Sequence, residues 1–416
     1  MNLPTMYRVK QVFPRPLVND LTKTVTEELE KLNLTVKIKS GQKIGITAGS
    51  RGIQNLLPLL KLTIDFVRSL GGEPYLLAAM GSHGGGTAAG QKEMLDGLGI
   101  TEEALGAPVL TCAESKLIAR TVSGLATYML ESALSMDGII VVNRVKTHTS
   151  FKGTVESGLI KKLVVGLGGP KGAQQFHSFG PAELPRLLTE IGQVILDHVP
   201  VLGGLAIVEN AYEETALIQG IDRENMIETE SKVLEYSKSL MPALPVSELD
   251  LLIIQEMGKN FSGTGIDTNI IGRARIHGVA EPESPSIQRI AVLDLSEESH
   301  GNATGVGMAD FVTEKLVKKM DRPKTYLNCL TSTFVVRAAI PMYFATEEKV
   351  MEAALYSLSG IEPEKLRLVI IPNTLFLSEC FVSAAIVPEL SERSDIIIGE
   401  TYPLTFDQDG KIAPRI

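Results

Sequence analysis

Four of the six histidines in this 416-residue chain stand in or just after polar, glycine-rich stretches: His83, His148, His177 and His300. An imidazole in such a place can move a proton at neutral pH or ligate a metal. In Gly81-Ser82-His83, three further glycines follow the ring, so His83 stands in a loop with little side-chain bulk. It reads either as an acid/base open to substrate or as the cap of a phosphate nest made by the glycines. Gly49-Ser50-Arg51-Gly52 offers backbone N–H groups, a hydroxyl and a guanidinium to an anion. The competing reading is a tight turn with a solvated arginine. The stretch Asn143 to Lys152, which contains Lys146 and His148, is dense in hydrogen-bond donors. Downstream, Gly166-Leu167-Gly168-Gly169-Pro170-Lys171-Gly172 has the spacing GxGxxxG, is interrupted by a proline, and does not match a dinucleotide fingerprint.

These loops need elements to hold them. Lys43–Thr47, Pro74–Ala79 and Gly138–Val142 read as buried strands, with helices over Leu56–Leu70, Gln91–Leu98 and Ala182–His198. A helix is also expected from about Leu17 to Leu32. Thr154–Val165 can be written as a helix whose apolar stripe is Val155, Leu159, Ile160, Leu163 and Val164. Glu156 falls inside that stripe, with Lys152 four residues earlier as its partner. The proline-bearing segment Ser237–Leu249 reads as a linker. Beyond it come strands at Asp250–Gln255, Arg289–Asp294, Leu368–Ile371 and Asp395–Ile398, with helices near Met308–Met320 and Glu347–Leu358. Apolar runs alternating with helices indicate an α/β protein of two α/β domains with mostly parallel sheets. The expected division is 1–245 for an N-terminal cofactor-binding domain and 246–416 for a C-terminal domain that contributes to substrate binding, with an active-site cleft between them. Ligands of such sheets bind beyond the carboxyl ends of the strands, where these loops lie.

Composition bounds the possibilities. Hydrophobic residues make up 44% and charged residues 21%, which excludes global disorder. A net charge of −9 lacks the basic footprint of a nucleic-acid partner. No apolar run is long enough to span a membrane, and the start has no basic region followed by an apolar stretch. A cytoplasmic protein is therefore expected. Cys112, Cys329 and Cys380 are too dispersed for a disulfide framework or a cysteine-rich metal site. Asp267-Thr268-Asn269 lacks the rest of a calcium loop.

Taken in order, the loops resemble those of the nickel-pincer lactate racemase family, the lactate-racemase-like 2-hydroxyacid racemases and epimerases. The likeness spans most of residues 40–180. It implies an N-terminal cofactor-binding α/β domain, a smaller C-terminal α/β domain, and a pyridinium mononucleotide whose two sulfur arms hold nickel (pyridinium-3,5-bisthiocarboxylic acid mononucleotide nickel). By resemblance, Ser50-Arg51 matches the family's arginine loop, with Arg51 on the phosphate. Gly81-Ser82-His83 matches its Gly-x-His loop and His148 its second histidine, and these two histidines are the implied acid/base pair. Lys161, followed sixteen residues later by His177, matches the tethering lysine and the nickel ligand, with Lys162 as the alternative tether. In the C-terminal half, Lys259 is the residue matched to substrate and cofactor binding. The chain departs from the family pattern at Ala48, where an aspartate is usual, and at Gly84, where a basic residue is usual.

The implied activity is inversion of the C2 centre of a 2-hydroxy acid, lactate-like or a sugar acid, by hydride transfer to the nickel-pincer nucleotide. Its implied partners are that small molecule and the enzymes that mature the cofactor. The alternative is a non-catalytic phosphate- or nucleotide-binding protein on the same scaffold.

Overall fold

Apolar runs such as Gly138–Val142 form strands here because helices cover the sheet on both faces. A computed structural model describes residues 3–416. Two compact units are present: Arg15–Met241, and Pro242–Ile416 together with the described residues up to Pro14. The first strand of the chain, β1 (Thr5–Gln11), belongs to the second of these.

The unit Arg15–Met241 is built on β2 (Lys43–Ala48), β3 (Glu73–Ala78) and the short β4 (Val109–Leu110). A separate antiparallel hairpin follows, β5 (Ser115–Arg120) and β6 (Ala126–Leu130). Then come β7 (Gly138–Arg144), β8 (Val201–Glu209) and β9 (Thr215–Asp222). The six-stranded sheet has the order β4-β3-β2-β7-β8-β9. All its pairings are parallel except β8 with β9. Along β7, Ile139 and Val141 pack into one core and Ile140 and Val142 into another. The first core takes the helices Leu184–His198 and Met226–Ser239, and the second takes Leu21–Lys31 and Leu56–Ser69. The chain runs outward from β2 through β3 to β4 and then returns to place β7 on the other side of β2. That reversal opens a crevice at the carboxyl ends of β2 and β7.

The expected helix over Thr154–Val165 begins later. Ser157 pairs with Lys146 across an antiparallel bridge, and Gly158 is extended, so helical geometry starts at Leu159. Leu159–Lys161 is one α-turn and Lys162–Gly166 a π-turn, in which Leu167 N–H reaches Lys162 O at 2.9 Å. The apolar stripe is nonetheless buried at all five positions. Wide turns of this kind are frequent at functional sites.

The second unit has strands β10 (Glu248–Ile254), β11 (Ser286–Val292), β12 (Phe311–Thr313), β13 (Met342–Phe344), β14 (Leu368–Ile371), β15 (Glu379–Ser383) and β16 (Ile396–Pro403). Their sheet order is β13-β12-β11-β10-β14-β15-β1-β16. The five strands from β13 to β14 are parallel, and β15, β1 and β16 are antiparallel. The division at 245/246 read from the sequence groups β1 with the N-terminal residues, whereas its backbone pairs with β15 and β16. A pairing across more than 360 residues leaves no local trace in composition or periodicity. The expected Met308–Met320 helix is shortened to Glu314–Lys319, because Phe311–Thr313 is needed as β12.

Met6, in β1, is fully buried in the core of that unit. Met6→Ala should lower the stability of the unit by about 2–5 kcal/mol. Hydrogen exchange should show lost protection in β15 and β16, with β7 unaffected.

Candidate functional site

The crevice between the ends of β2 and β7 gathers the loops singled out by their chemistry. Ser50 and Arg51 follow β2, His83 follows β3, and Lys146 and His148 follow β7. The Ser50 hydroxyl and His83 Nδ1 are 2.5 Å apart and tie the first two loops together. Ser50, expected to touch an anion, is therefore also the partner of His83. The ring of His83 is exposed and that of His148 half-buried. Nδ1 of His148 accepts a hydrogen bond from Ser150 N–H at 3.1 Å, which in the neutral ring puts the proton on Nε2. The same ring stacks on Phe151, with centroids 4.1 Å apart and planes 24° apart. Phe151 meets Phe176 edge-on at 6.4 Å, and Phe176 meets His177 at 5.3 Å. This aromatic series joins the loop after β7 to the helix Gly169–Ser178, whose last turn carries His177.

Positive charge concentrates here. Burial, then Arg51, Lys162 and Lys146 in turn, bring the Lys161 ammonium down to about 7. Burial and Arg51 bring Lys162 to about 8. Burial and the charge of Lys161 bring His177 to about 4, so its imidazole is neutral at physiological pH. Among the described residues neither Lys161 nor Lys162 is in an ion pair. The Lys162 Nζ occupies the space where a Cβ of Gly49 would lie, so only glycine lets that ammonium sit over the backbone after β2. Arg51, Lys146, Lys161, Lys162 and His177 are thus mutually linked through the field at Lys161. Lys259 lies in the second unit, where its Nζ donates to Gly263 O at 2.5 Å and Asn328 Oδ1 at 2.8 Å.

Carboxylates are present, but they hold backbone rather than neutralise the lysines. Glu209, at the end of β8, accepts from Gln54 N–H at 2.7 Å with one oxygen and binds Arg144 with the other. It therefore ties the arginine loop to the end of β7. Glu156 is fully buried and accepts from His148 N–H at 2.7 Å, with Lys152 and Lys238 each 3.6 Å from its oxygens. The Lys152 pairing is the one expected from the sequence. Glu230 accepts from Ile160 N–H at 2.9 Å, at the start of the lysine-bearing turn. A hydrogen bond to a charged group contributes about 1.5–3 kcal/mol, enough to decide where each loop sits. Glu209 and Glu230 were missed by sequence reasoning. Each is a lone acid in an ordinary strand or helix, and nothing in spacing marks it.

No family model matches the sequence, and no curated protein sequence matches it. Among solved structures, the lactate racemase apoprotein from Thermoanaerobacterium thermosaccharolyticum is similar, with a TM-score of 0.54 at 12% sequence identity. The likeness covers 88% of this chain and 99% of that one. The chain has a lactate-racemase-like fold. No helix among the described residues is long and apolar enough to cross a membrane.

Competitive acetylation followed by site-resolved mass spectrometry checks the electrostatics. Lys161 and Lys162 should titrate with midpoints near 7 and 8, against the ordinary ~10.4 of an exposed lysine. Arg51→Gln should move both midpoints upward. The same depression costs folding stability below pH 7, a cost relieved as pH rises toward the unfolded-state value.

Proposed function

We propose that the protein is a racemase or epimerase of 2-hydroxy acids that works with a nickel-pincer nucleotide tethered to Lys161. The observation that carries this reading is the cation cluster: an amine poised near neutrality, a neutral imidazole, and a guanidinium at the mouth of one crevice. The chemistry of these donors fits the group. With its pKa near 7, the Lys161 amine carries a free lone pair in a large fraction of molecules at pH 7–8, which is the form a covalent tether needs. A neutral His177 can give its lone pair to a metal. Arg51, Lys146 and Lys162 offer charge to a phosphate. Among the described residues no group of three or more His, Cys, Asp or Glu side chains is gathered for a metal ion. A metal at His177 would therefore take its other donors from the bound group, as a sulfur-armed pincer provides.

The group, when bound, would supply the hydride acceptor and donor. The protein's own residues do the rest. With Nδ1–H donated to Ser50, His83 can take the hydroxyl proton of one enantiomer at Nε2. His148, with Nδ1 engaged by Ser150 N–H, carries a proton on Nε2 for return to the oxygen on the other side. The roles exchange for the opposite enantiomer, which is what a racemase needs. The stack of His148 on Phe151 holds the ring plane through both directions. Lys259 is the side chain proposed to grip the substrate carboxylate. Handling of the substrate by a maturation-dependent enzyme in the cytoplasm belongs to the same reading.

The test is protein produced together with the cofactor-synthesis enzymes. Intact mass should show an added group on the wild type and none on Lys161→Ala, and nickel should be bound at one per chain. His83→Ala and His148→Ala should each lose about 10²–10⁴-fold in racemisation while keeping the added mass. If Lys161→Ala keeps both mass and activity, the tether is wrong. If both histidine variants keep full activity, they are not the acid/base pair; if the loaded wild type racemises no hydroxy acid while still holding a mononucleotide, the protein is a binding protein on this scaffold.

A further inference from the structure

The lysine-bearing turn begins without a cap of its own. Gly158, the residue before Leu159, has no side chain to accept the first amide protons, which every helix start leaves unsatisfied. A remote helix supplies the acceptor instead. Glu230, on Met226–Ser239, is 1% exposed. Its Oε2 takes the Ile160 N–H at 2.9 Å, and the field of the neighbouring Leu159 N–H also favours the charged carboxylate. Its Oε1 finds no hydrogen-bond partner among the described residues. That oxygen fills the space where a Cβ of Gly158 would stand. The glycine and the carboxylate are therefore a matched pair, each requiring the other's shape.

Space-filling alone gives little reason for this arrangement. A buried carboxyl with one unmatched oxygen is costly, and burial has already pushed Glu230 up to about 7 despite the two amides that hold it. An apolar side chain of similar size would fill the same space between the helices. What it could not do is fix the turn immediately before Lys161 and Lys162. We propose that Glu230 is a positioning residue of the lysine pair: its carboxylate, seated in the gap left by Gly158, sets the start of the turn and so the aim of both ammonium groups toward the loop after β2. The functional consequence rests on the reading of Lys161 as the tether, but the geometry can be tested on the protein alone.

The experiment measures acetylation by sulfo-N-hydroxysuccinimide acetate. Rates at Lys161 and Lys162 are read by mass spectrometry and normalised to exposed Lys232. Glu230→Gln keeps the acceptor oxygen and should leave the Lys161-to-Lys162 ratio within about twofold of wild type, whereas Glu230→Ala should change it about fivefold or more. Val233→Ala, a cavity on the same helix, should not change it, which separates aiming from simple loosening. Gly158→Ala should act like Glu230→Ala, because its methyl evicts the carboxylate, and should add nothing further in the Glu230→Ala background. If Glu230→Ala does not fold, Glu230→Asp, which withdraws both oxygens by one methylene, takes its place. The proposal is overturned if removing the carboxylate leaves the ratio unchanged, if Val233→Ala changes it equally, or if the Gly158 and Glu230 effects add. A failure here leaves the tether reading standing, and loss of the tether reading leaves this one standing.

Discussion

The structure of the N-terminal crevice depends on a separation of charge. Lysine and arginine side chains face one another across the ends of β2 and β7, while the nearby carboxylates hold backbone amides and other cations, Glu209 on Arg144 and Glu156 near Lys152 and Lys238. Bringing ammonium groups together in a half-buried site is unfavourable, and the depressed Lys161 and Lys162 record that cost. Were Glu156, Glu209 or Glu230 to pair with the lysines instead, the cluster would be neutral and the loops would lose their anchors. With the acids engaged elsewhere, the cluster of Arg51, Lys146, Lys161 and Lys162 keeps an excess of positive charge.

The second constraint is geometric. Reversal of strand order at β2 and β7 brings residues from distant parts of the chain to one edge of the sheet. The series His148, Phe151, Phe176 and His177 then carries orientation from the loop after β7 to a helix more than twenty residues further on. Rigid aromatic contacts suit this task, because stacked and edge-on rings hold one another's planes. The π-turn at Lys162–Gly166 serves the neighbouring need, since it rotates the lysine-bearing segment without breaking the buried stripe beneath it.

Much of this was legible in the sequence. Short apolar runs gave β2, β3 and β7 within one or two residues, because both-face burial demands continuous hydrophobicity. Glycine-flanked polar loops marked Arg51, His83 and His148, and the interval from Lys161 to His177 stood out by resemblance. Three things were not legible. The pairing of β1 with β15 and β16 is a long-range event with no local pattern. The start of the lysine turn at Leu159 was set by Ser157 and Gly158 being drawn into contacts with Lys146 and Glu230, which override a good helical stripe. Glu209 and Glu230 act through what they touch in space, and a single acid in a strand or helix carries no such information.

An anion is the partner we propose for the lysine cluster. Calorimetric titration with nicotinic acid mononucleotide at pH 8, in two buffers of different ionisation heat, tests it most directly. Binding should be accompanied by net proton uptake, because a phosphate beside Arg51, Lys146 and Lys162 raises the Lys162 amine from about 8 back toward its ordinary value, and Arg51→Gln should weaken it. Binding with no proton uptake, or none at all while the fold is intact, would contradict the claim.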